Sequence, residues 1–232
     1  MADIDGTLNE GGDSVIPEIS QTVLKLEEKG ILVGLVSGRT GPMLQKMAAL
    51  LDINGPLISE NGAIARLSPT STPLELGYSK EPAAAALAKL KALYPGKITE
   101  RWDNRERLID IVFQAEGVPI GELRRQLPDI QVLDSRYIMH IMQKGISKGR
   151  TLLNILPRVA GGNLKVDEVM VAGDSATDLS LFELFPQSLL VRNPVIPPEE
   201  SLALQKAARY ISGLEQGHGF AEVAAYILDL SN

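Results

Sequence analysis

The most constraining feature of this sequence is the alternation of short apolar runs with segments of helical periodicity. The run ILVGLVS (31–37) is continuous, apolar and rich in branched side chains, which is typical of a strand buried on both faces of a sheet. Segments 19–29 and 42–51, on either side of it, carry apolar residues at helical spacing. Buried strands that alternate with amphipathic helices indicate a parallel sheet covered by helices on both faces.

The same alternation continues at PLISENGA (56–63) and returns near the C-terminus. The runs DEVMVAGDS (167–175) and SLLVR (188–192) predict two more strands, and residues 178–184 predict the helix between them. A last helix is predicted over 221–230. We therefore expect an α/β fold with a Rossmann-like core and a parallel sheet.

The middle of the chain has a different pattern, which indicates an inserted domain. Residues 83–93 are rich in alanine and leucine, and LIDIVFQ (108–114) alternates with a period of two. The predicted order is helix, strand, strand, helix, strand, strand, as in an open antiparallel sheet with helices on one face. We place the core domain at 1–67 and 145–232, and the smaller α+β domain at 68–144.

Composition narrows the classes of function. The 232 residues carry a net charge of −6, which argues against a nucleic acid partner. The chain has no cysteine, so disulfides are excluded. Neither a signal peptide nor an apolar run of membrane-spanning length is visible. We expect a cytoplasmic protein, a monomer or homodimer, with no membrane partner.

Four polar motifs fall where predicted strands end or helices begin. Each one alone fits a solvated turn, a plain loop or a helix cap. Ligands of parallel α/β sheets, however, bind at the carboxyl ends of the strands, so the set indicates one shared site. The motifs are Asp3-Ile-Asp5, Ser37-Gly38-Arg39, Lys148-Gly149, and Gly173-Asp174-Ser175 followed by Asp178.

This set resembles the four motifs of the haloacid dehalogenase superfamily of phosphatases, and an insert between the second and third motifs resembles its type IIB cap. Within the superfamily, the chain looks closest to the archaeal-type phosphoglycolate phosphatases of the sucrose-phosphatase-like group. Three segments carry that similarity: INGPLISENGAI (53–64), ERWDNRER (100–107) and DSRYIMHIMQKGISKG (134–149). The resemblance implies a Mg²⁺-dependent phosphomonoester hydrolase, acting on a small phosphorylated acid such as 2-phosphoglycolate.

The resemblance also implies roles for the acidic residues. Asp3 would attack phosphorus and form an aspartyl-phosphate. Asp5 would protonate the leaving alkoxide and then take a proton from the attacking water. Mg²⁺, which prefers hard oxygen ligands, would be held by Asp3, Asp174 and the backbone carbonyl of Asp5, with Asp178 in support.

Substrate contacts are expected from both domains. Ser37, with Gly38 beside it, and Lys148 would bind phosphoryl oxygens, and the lysine would stabilise the transition state. The remaining candidates each have a structural alternative, such as an Asx-turn, a helix cap or a packed histidine. They are Arg39, Asn61, Arg136 and His140. The two arginines and the histidine are candidates to bind a second anionic group of the substrate.

One departure from the superfamily pattern leaves alternatives open. Only Met1 and Ala2 precede Asp3, whereas the superfamily has several apolar residues there. Either the start is misassigned, or the protein tolerates a short central strand with weak activity or binding alone. Other substrates also stay open: sucrose phosphate, mannosyl-3-phosphoglycerate, or the broad range of Cof-type enzymes.

Overall fold

A parallel sheet forms the core of the computed structural model, which describes residues 1–10, 14–136 and 138–230. The strands are β1 (Leu35–Val36), β2 (Leu57–Ser59), β3 (Ile64–Arg66), β4 (Ile98–Glu100), β5 (Ile111–Ala115), β6 (Ile130–Asp134), β7 (Met139–Gln143), β8 (Met170–Gly173), β9 (Gln187–Arg192) and β10 (Tyr210–Glu215). The helices are α1 (Pro17–Glu28), α2 (Gly41–Leu51), α3 (Glu81–Leu93), α4 (Ile120–Gln126), α5 (Lys148–Ile155), α6 (Leu179–Leu184), α7 (Pro198–Ala207) and α8 (Gln216–Leu230).

The first residues of the chain join the two halves of the core sheet. One half has the order β3-β2-β1 and the other β10-β9-β8, with all pairs parallel except β2 with β3. Ala2 pairs in parallel with Leu35 on one side and Ala172 on the other. The Ala2 N–H donates to Gly34 O, and the Asp3 N–H donates to Ala172 O, each at 2.9 Å. The short segment before Asp3 is therefore bonded on both sides.

Two apolar layers cover the core sheet. One cluster contains Ile19 of α1, Leu44 of α2 and Phe220 of α8, which pack with apolar residues of the N-terminal segment. Leu152 and Phe182, from α5 and α6, belong to the cluster on the other face. Burial of this aliphatic surface is the main favourable term in the folding of such a layered domain. The predicted α/β core is confirmed.

The inserted domain, called the cap below, is an antiparallel sheet with the strand order β4-β5-β7-β6. Helices α3 and α4 pack against it around the buried side chains of Leu90, Phe113, Leu123 and Ile141. The chain order of helices and strands is the predicted one. The domain boundaries at 67/68 and 144/145 stay predictions.

Some elements differ from the predicted ones. The run 31–37 gives only the two-residue strand β1, and α8 begins at Gln216 rather than at 221. Helix α7 and strand β10 were not predicted, because α7 has a weak apolar stripe and β10 is mostly exposed. Pro198 at the start of α7 is the helix signal that sequence analysis overlooked. Among the described helices, none is long and apolar enough to cross a lipid bilayer.

Candidate active site

The predicted motifs meet at the carboxyl edge of the core sheet. Asp3 follows the bonded N-terminal segment, Ser37 follows β1, and Asp174 follows β8, while Lys148 is the first residue of α5. All four line one cavity of about 480 Å³, whose wall also includes cap residues. The rule that ligands bind at this edge led to the prediction that these residues come together, and the structure brings them together.

Three buried carboxylates form the centre of the site. One oxygen from each of Asp3, Asp174 and Asp178 lies within 4.8 Å of the others. The Lys148 ammonium donates to Asp3 Oδ1 and to Asp178 Oδ1, at 2.7 Å in each case. Burial raises the pKa of Asp3 well above its usual range, and burial together with Asp178 raises that of Asp174 to about 7. One lysine does not neutralise three close carboxylates, so this donor set fits a hard divalent cation such as Mg²⁺.

Asp178 has more hydrogen bonds than a simple metal ligand needs. Its Oδ2 accepts the backbone N–H groups of Asp174 and Ser175, both at 3.1 Å, while its Oδ1 accepts Lys148. These contacts hold the loop and the lysine in place. Asp178 as a metal ligand stays a prediction, and its positioning contacts match the supporting role expected for it.

Two contacts of Asp174 were not predicted. The Thr7 hydroxyl donates to Asp174 Oδ1 at 3.0 Å, and the Asn193 amide donates to Oδ2 at 2.7 Å. The backbone of Gly6, with φ of 86°, lies against the hydrogen bond between Asn193 and Asp174. A Cβ at this position would lie 2.4 Å from Asn193 Nδ2 and 2.5 Å from Asp174 Oδ2. A glycine is therefore required at this turn.

Asp5 lies beside the cluster and is bound by Arg39. The guanidinium contacts it through Nε–Oδ2 at 2.8 Å and Nη2–Oδ1 at 2.6 Å. This two-point geometry fixes the orientation of a carboxylate. Asp5 and Arg39 both line the cavity, but in this arrangement the arginine contacts Asp5, and its contact with substrate stays a prediction.

The family of this chain follows from its sequence. Residues 1–94 and 97–223 match the family described as haloacid dehalogenase-like hydrolase. The chain belongs to this family. The predicted superfamily is confirmed, and with it the expectation of an enzyme.

Curated relatives of this hydrolase share a name. It is 31% identical over 227 residues to the phosphoglycolate phosphatase of Methanospirillum hungatei, covering 96% of this chain and 93% of the relative. It is 27% identical over 229 residues to the phosphoglycolate phosphatase of Thermoplasma volcanium, covering 97% and 95%. The family and these relatives confirm the prediction of a phosphatase.

Solved structures share the fold. A crystal structure of Thermoplasma acidophilum 0175 has a TM-score of 0.83 and 22% identity, covering 99% of this chain and 96% of that one. The sucrose-phosphatase of Synechocystis, solved with sucrose and phosphate, has a TM-score of 0.75 and 16% identity, covering 98% and 96%. At these identities the likeness concerns the core and cap architecture.

In this hydrolase, Gly38 lies where the core touches the cap. A Cβ at Gly38 would approach the Asn61 amide at 3.0 Å and His140 Cε1 at 3.2 Å. The carbonyl of Gly38 accepts a hydrogen bond from Arg107 of the cap at 3.0 Å. Ser37 Oγ accepts the Arg39 N–H at 3.2 Å, which leaves its own O–H to donate to a phosphoryl oxygen; that contact with phosphate stays a prediction.

A buried polar network then runs from Asn61 into the cap. His140 Nδ1 lies 3.0 Å from the Asn61 amide nitrogen and 2.8 Å from Asp110 Oδ2. Arg107 donates to Asp110 Oδ1 at 2.6 Å. Burial works against the Asp110 charge, but His140 and Arg107 outweigh it and hold the pKa of Asp110 below its usual value. Asn61 and His140 line the cavity as expected, and their contact with substrate stays a prediction.

Glu60 is a second link between the domains, and sequence analysis missed it. Its carboxylate accepts the N–H groups of Leu108 and Ile109 at 2.8 Å and of Asp110 at 2.9 Å. Its own N–H donates to Arg39 O at 2.9 Å, beside the predicted phosphate-binding loop. Burial and Asp110 raise the pKa of Glu60, against the three backbone bonds. Glu60 stands between Ser59 and Asn61, and no local pattern indicated its contacts with the cap.

Arg136 reaches across the mouth of the cavity. Its guanidinium is ion-paired with Glu200 at the start of α7, and Glu200 also accepts the Ala176 N–H at 3.1 Å. Arg136 has φ of 72°, and its N–H donates to Asp134 at 2.7 Å. The residue lines the cavity, but its charge joins the cap to the core, and a substrate role for Arg136 stays a prediction.

Proposed function

We propose that this protein is a Mg²⁺-dependent phosphatase that hydrolyses a small phosphorylated acid, such as 2-phosphoglycolate, through an aspartyl-phosphate. The single observation that carries the proposal is the buried cluster in which Lys148 contacts Asp3 while Asp174 lies alongside. The names of the curated relatives support the substrate class.

The residues divide the reaction into two steps. The Asp3 carboxylate attacks phosphorus and forms a P–O bond as the alkoxide leaves, and Asp5 gives that alkoxide a proton. Water then attacks the phosphorus of the aspartyl-phosphate, Asp5 takes the proton, and phosphate departs. Lys148 stabilises the negative charge on the phosphoryl oxygens throughout.

The metal fits the acidic side of the cluster. Mg²⁺ would be held by Asp3 and Asp174, together with the Asp5 carbonyl and with Asp178 in support. When bound, it neutralises the repulsion between the nucleophile and the phosphate dianion. Thr7 and Asn193 hold the Asp174 carboxylate in one orientation, which is what a precise octahedral site needs.

The cap supports a small substrate. Cap side chains line the cavity of about 480 Å³, which is near the lower end of the range for ligand sites. A covered site of this kind excludes water from all but the attacking position. We further propose that the enzyme works in the cytoplasm as a monomer or homodimer, without nucleic acid or membrane partners.

The test is phosphate release from a panel of esters. With Mg²⁺ we expect 2-phosphoglycolate to give the highest kcat/KM, above sucrose phosphate, mannosyl-3-phosphoglycerate and p-nitrophenyl phosphate. EDTA should abolish release, Mg²⁺ should restore it, and Ca²⁺ should not, because its larger and looser coordination shell misplaces the reacting groups. A preference for the sugar phosphates would refute the assignment of 2-phosphoglycolate as the substrate. Full activity in EDTA would refute the requirement for a metal ion. No release from any ester would refute the phosphatase activity and favour a protein that only binds its ligand.

A further inference from the structure

The cations around the cavity differ in how fully they are neutralised. Among the described residues, the cationic side chains that line it are Arg39, Arg101, Arg107, Arg136 and Lys148. All but one of these bind a carboxylate closely: Arg39 with Asp5 and Arg107 with Asp110 at 2.6 Å, Lys148 with Asp3 at 2.7 Å, and Arg136 with Glu200.

Arg101 is the exception. Its carboxylate contact is with Asp103, from Nε to Oδ1 at 3.4 Å. The other oxygen of Asp103 accepts two hydrogen bonds from Arg107, at 2.9 and 3.2 Å, so the charge of Asp103 is shared between two arginines. The Arg101 side chain is 36% exposed. Within residues 1–10, 14–136 and 138–230, its two Nη atoms have no hydrogen-bond partner.

His140 lies on the same face of the cap sheet. The Arg101 N–H donates to Val112 O at 3.3 Å, in continuation of the β4–β5 register, and Val112 is in register with His140 on β7. Residues opposite one another on neighbouring strands project to the same face. Asp110 and Asn61 occupy the Nδ1 side of the ring, while Nε2 has no partner in the described part of the chain.

We infer that Arg101, together with His140 two strands away on the same face, forms the subsite for an anionic group, specifically a carboxylate, on the part of the substrate that leaves with the alcohol. The planar Nη pair of an arginine suits the two oxygens of a carboxylate, and His140 adds a donor when its ring carries both protons. This assignment rests on the proposed function, and it identifies the residues that select the substrate. In this role Arg101 replaces Arg136, because the charge of Arg136 is neutralised by its ion pair with Glu200.

The experiment compares Arg101→Gln with Arg105→Gln in the full chain. Arg105 lies in the same turn but is 74% exposed and stacks on Trp102, so it is a matched control. For Arg101→Gln we expect kcat/KM for 2-phosphoglycolate to fall roughly ten- to a hundred-fold while p-nitrophenyl phosphate changes less than about twofold. Arg101→Lys should recover part of the loss. Equal losses on both substrates, no loss, or a selective loss in Arg136→Gln instead would overturn the assignment.

A binding measurement separates this proposal from the proposed function. Phosphonoacetate and methylphosphonate are not hydrolysed as esters, and they differ by one carboxylate. By calorimetry with Mg²⁺, wild-type protein should bind phosphonoacetate more tightly, and Arg101→Gln but not Arg105→Gln should remove the difference. That result would support the subsite even in a protein without phosphatase activity. Equal binding of both ligands by the wild type would overturn the subsite even in an active phosphatase.

Discussion

The Lys148 ammonium lies between two carboxylates, 2.7 Å from Asp3 and 2.7 Å from Asp178. Burial works against its charge, but Asp178 and Asp3 outweigh burial and raise the pKa of Lys148. The lysine is therefore a fixed positive charge next to the proposed nucleophile. It also neutralises part of a cluster that would otherwise repel itself.

Lys148→Met should weaken both catalysis and folding. We expect kcat to fall by about 10²–10³, as when a preorganised charge is lost from a transition state. The metal-free variant should also lose about 3–5 kcal/mol of unfolding free energy, because two buried carboxylates lose their partner. Phosphate release and urea denaturation in EDTA measure the two effects. Lys144→Met, in the exposed turn before α5, is the control; similar losses there would contradict the assignment.

Asp3→Asn should abolish turnover while the fold persists. The amide keeps the shape of the side chain but has no nucleophilic charge, so the aspartyl-phosphate cannot form. Phosphate release measures activity, and circular dichroism checks the fold. Residual activity above about a tenth of wild type would rule out the covalent mechanism.

The pH dependence of stability should report on Asp174. Because burial and Asp178 raise its pKa to about 7 in the folded protein, the folded state binds more protons than the unfolded state between about pH 4 and 7. This contribution to metal-free stability is fully present below the unfolded pKa and is lost as the pH rises through about 7. Melting temperatures in EDTA should therefore fall more steeply with pH for wild type than for Asp174→Asn.

Added Mg²⁺ should reverse that trend. A carboxylate must lose its proton to bind the metal, so stabilisation by Mg²⁺ should be small near pH 5.5 and larger near pH 8. A stabilisation that does not change with pH, or one that Asp174→Asn retains in full, would argue against Asp174 as a ligand.

Glu60→Gln should loosen the contact between cap and core. One carbonyl oxygen cannot replace a carboxylate that accepts three N–H groups, and the new amide presents donors to donors. We expect a loss of about 2–3 kcal/mol in unfolding free energy, typical of hydrogen bonds to a buried charge. Urea denaturation tests this, with the exposed cap residue Glu116 changed to Gln as control. Equal stability of the two variants would show that the carboxylate is not needed.

The location of the site followed from sequence, whereas its cross-domain contacts did not. Asp3, Ser37 and Asp174 end parallel strands, and that position alone brings such residues together. The bond between Thr7 and Asp174 joins residues 167 apart, and no local pattern encodes it. Glu60 was missed for the same reason, since its partners belong to the other domain. Sequence analysis named Arg136 and did not consider the proposed Arg101, because strand alternation says nothing about which carboxylates neutralise each arginine.

The pairing of Ala2 with both Leu35 and Ala172 has a consequence for the order of assembly. The segment that carries the proposed nucleophile precedes both of its neighbours in the sheet, and one of them, Ala172, lies far beyond it in the sequence. Contacts of such high sequence separation close slowly, since loop entropy is lost before they form. A nascent chain therefore holds Asp3 without Lys148, Asp174 and Asp178 until the stretch through Asp178 has been synthesised. The proposed catalytic cluster therefore depends on contacts between segments that lie far apart in the sequence.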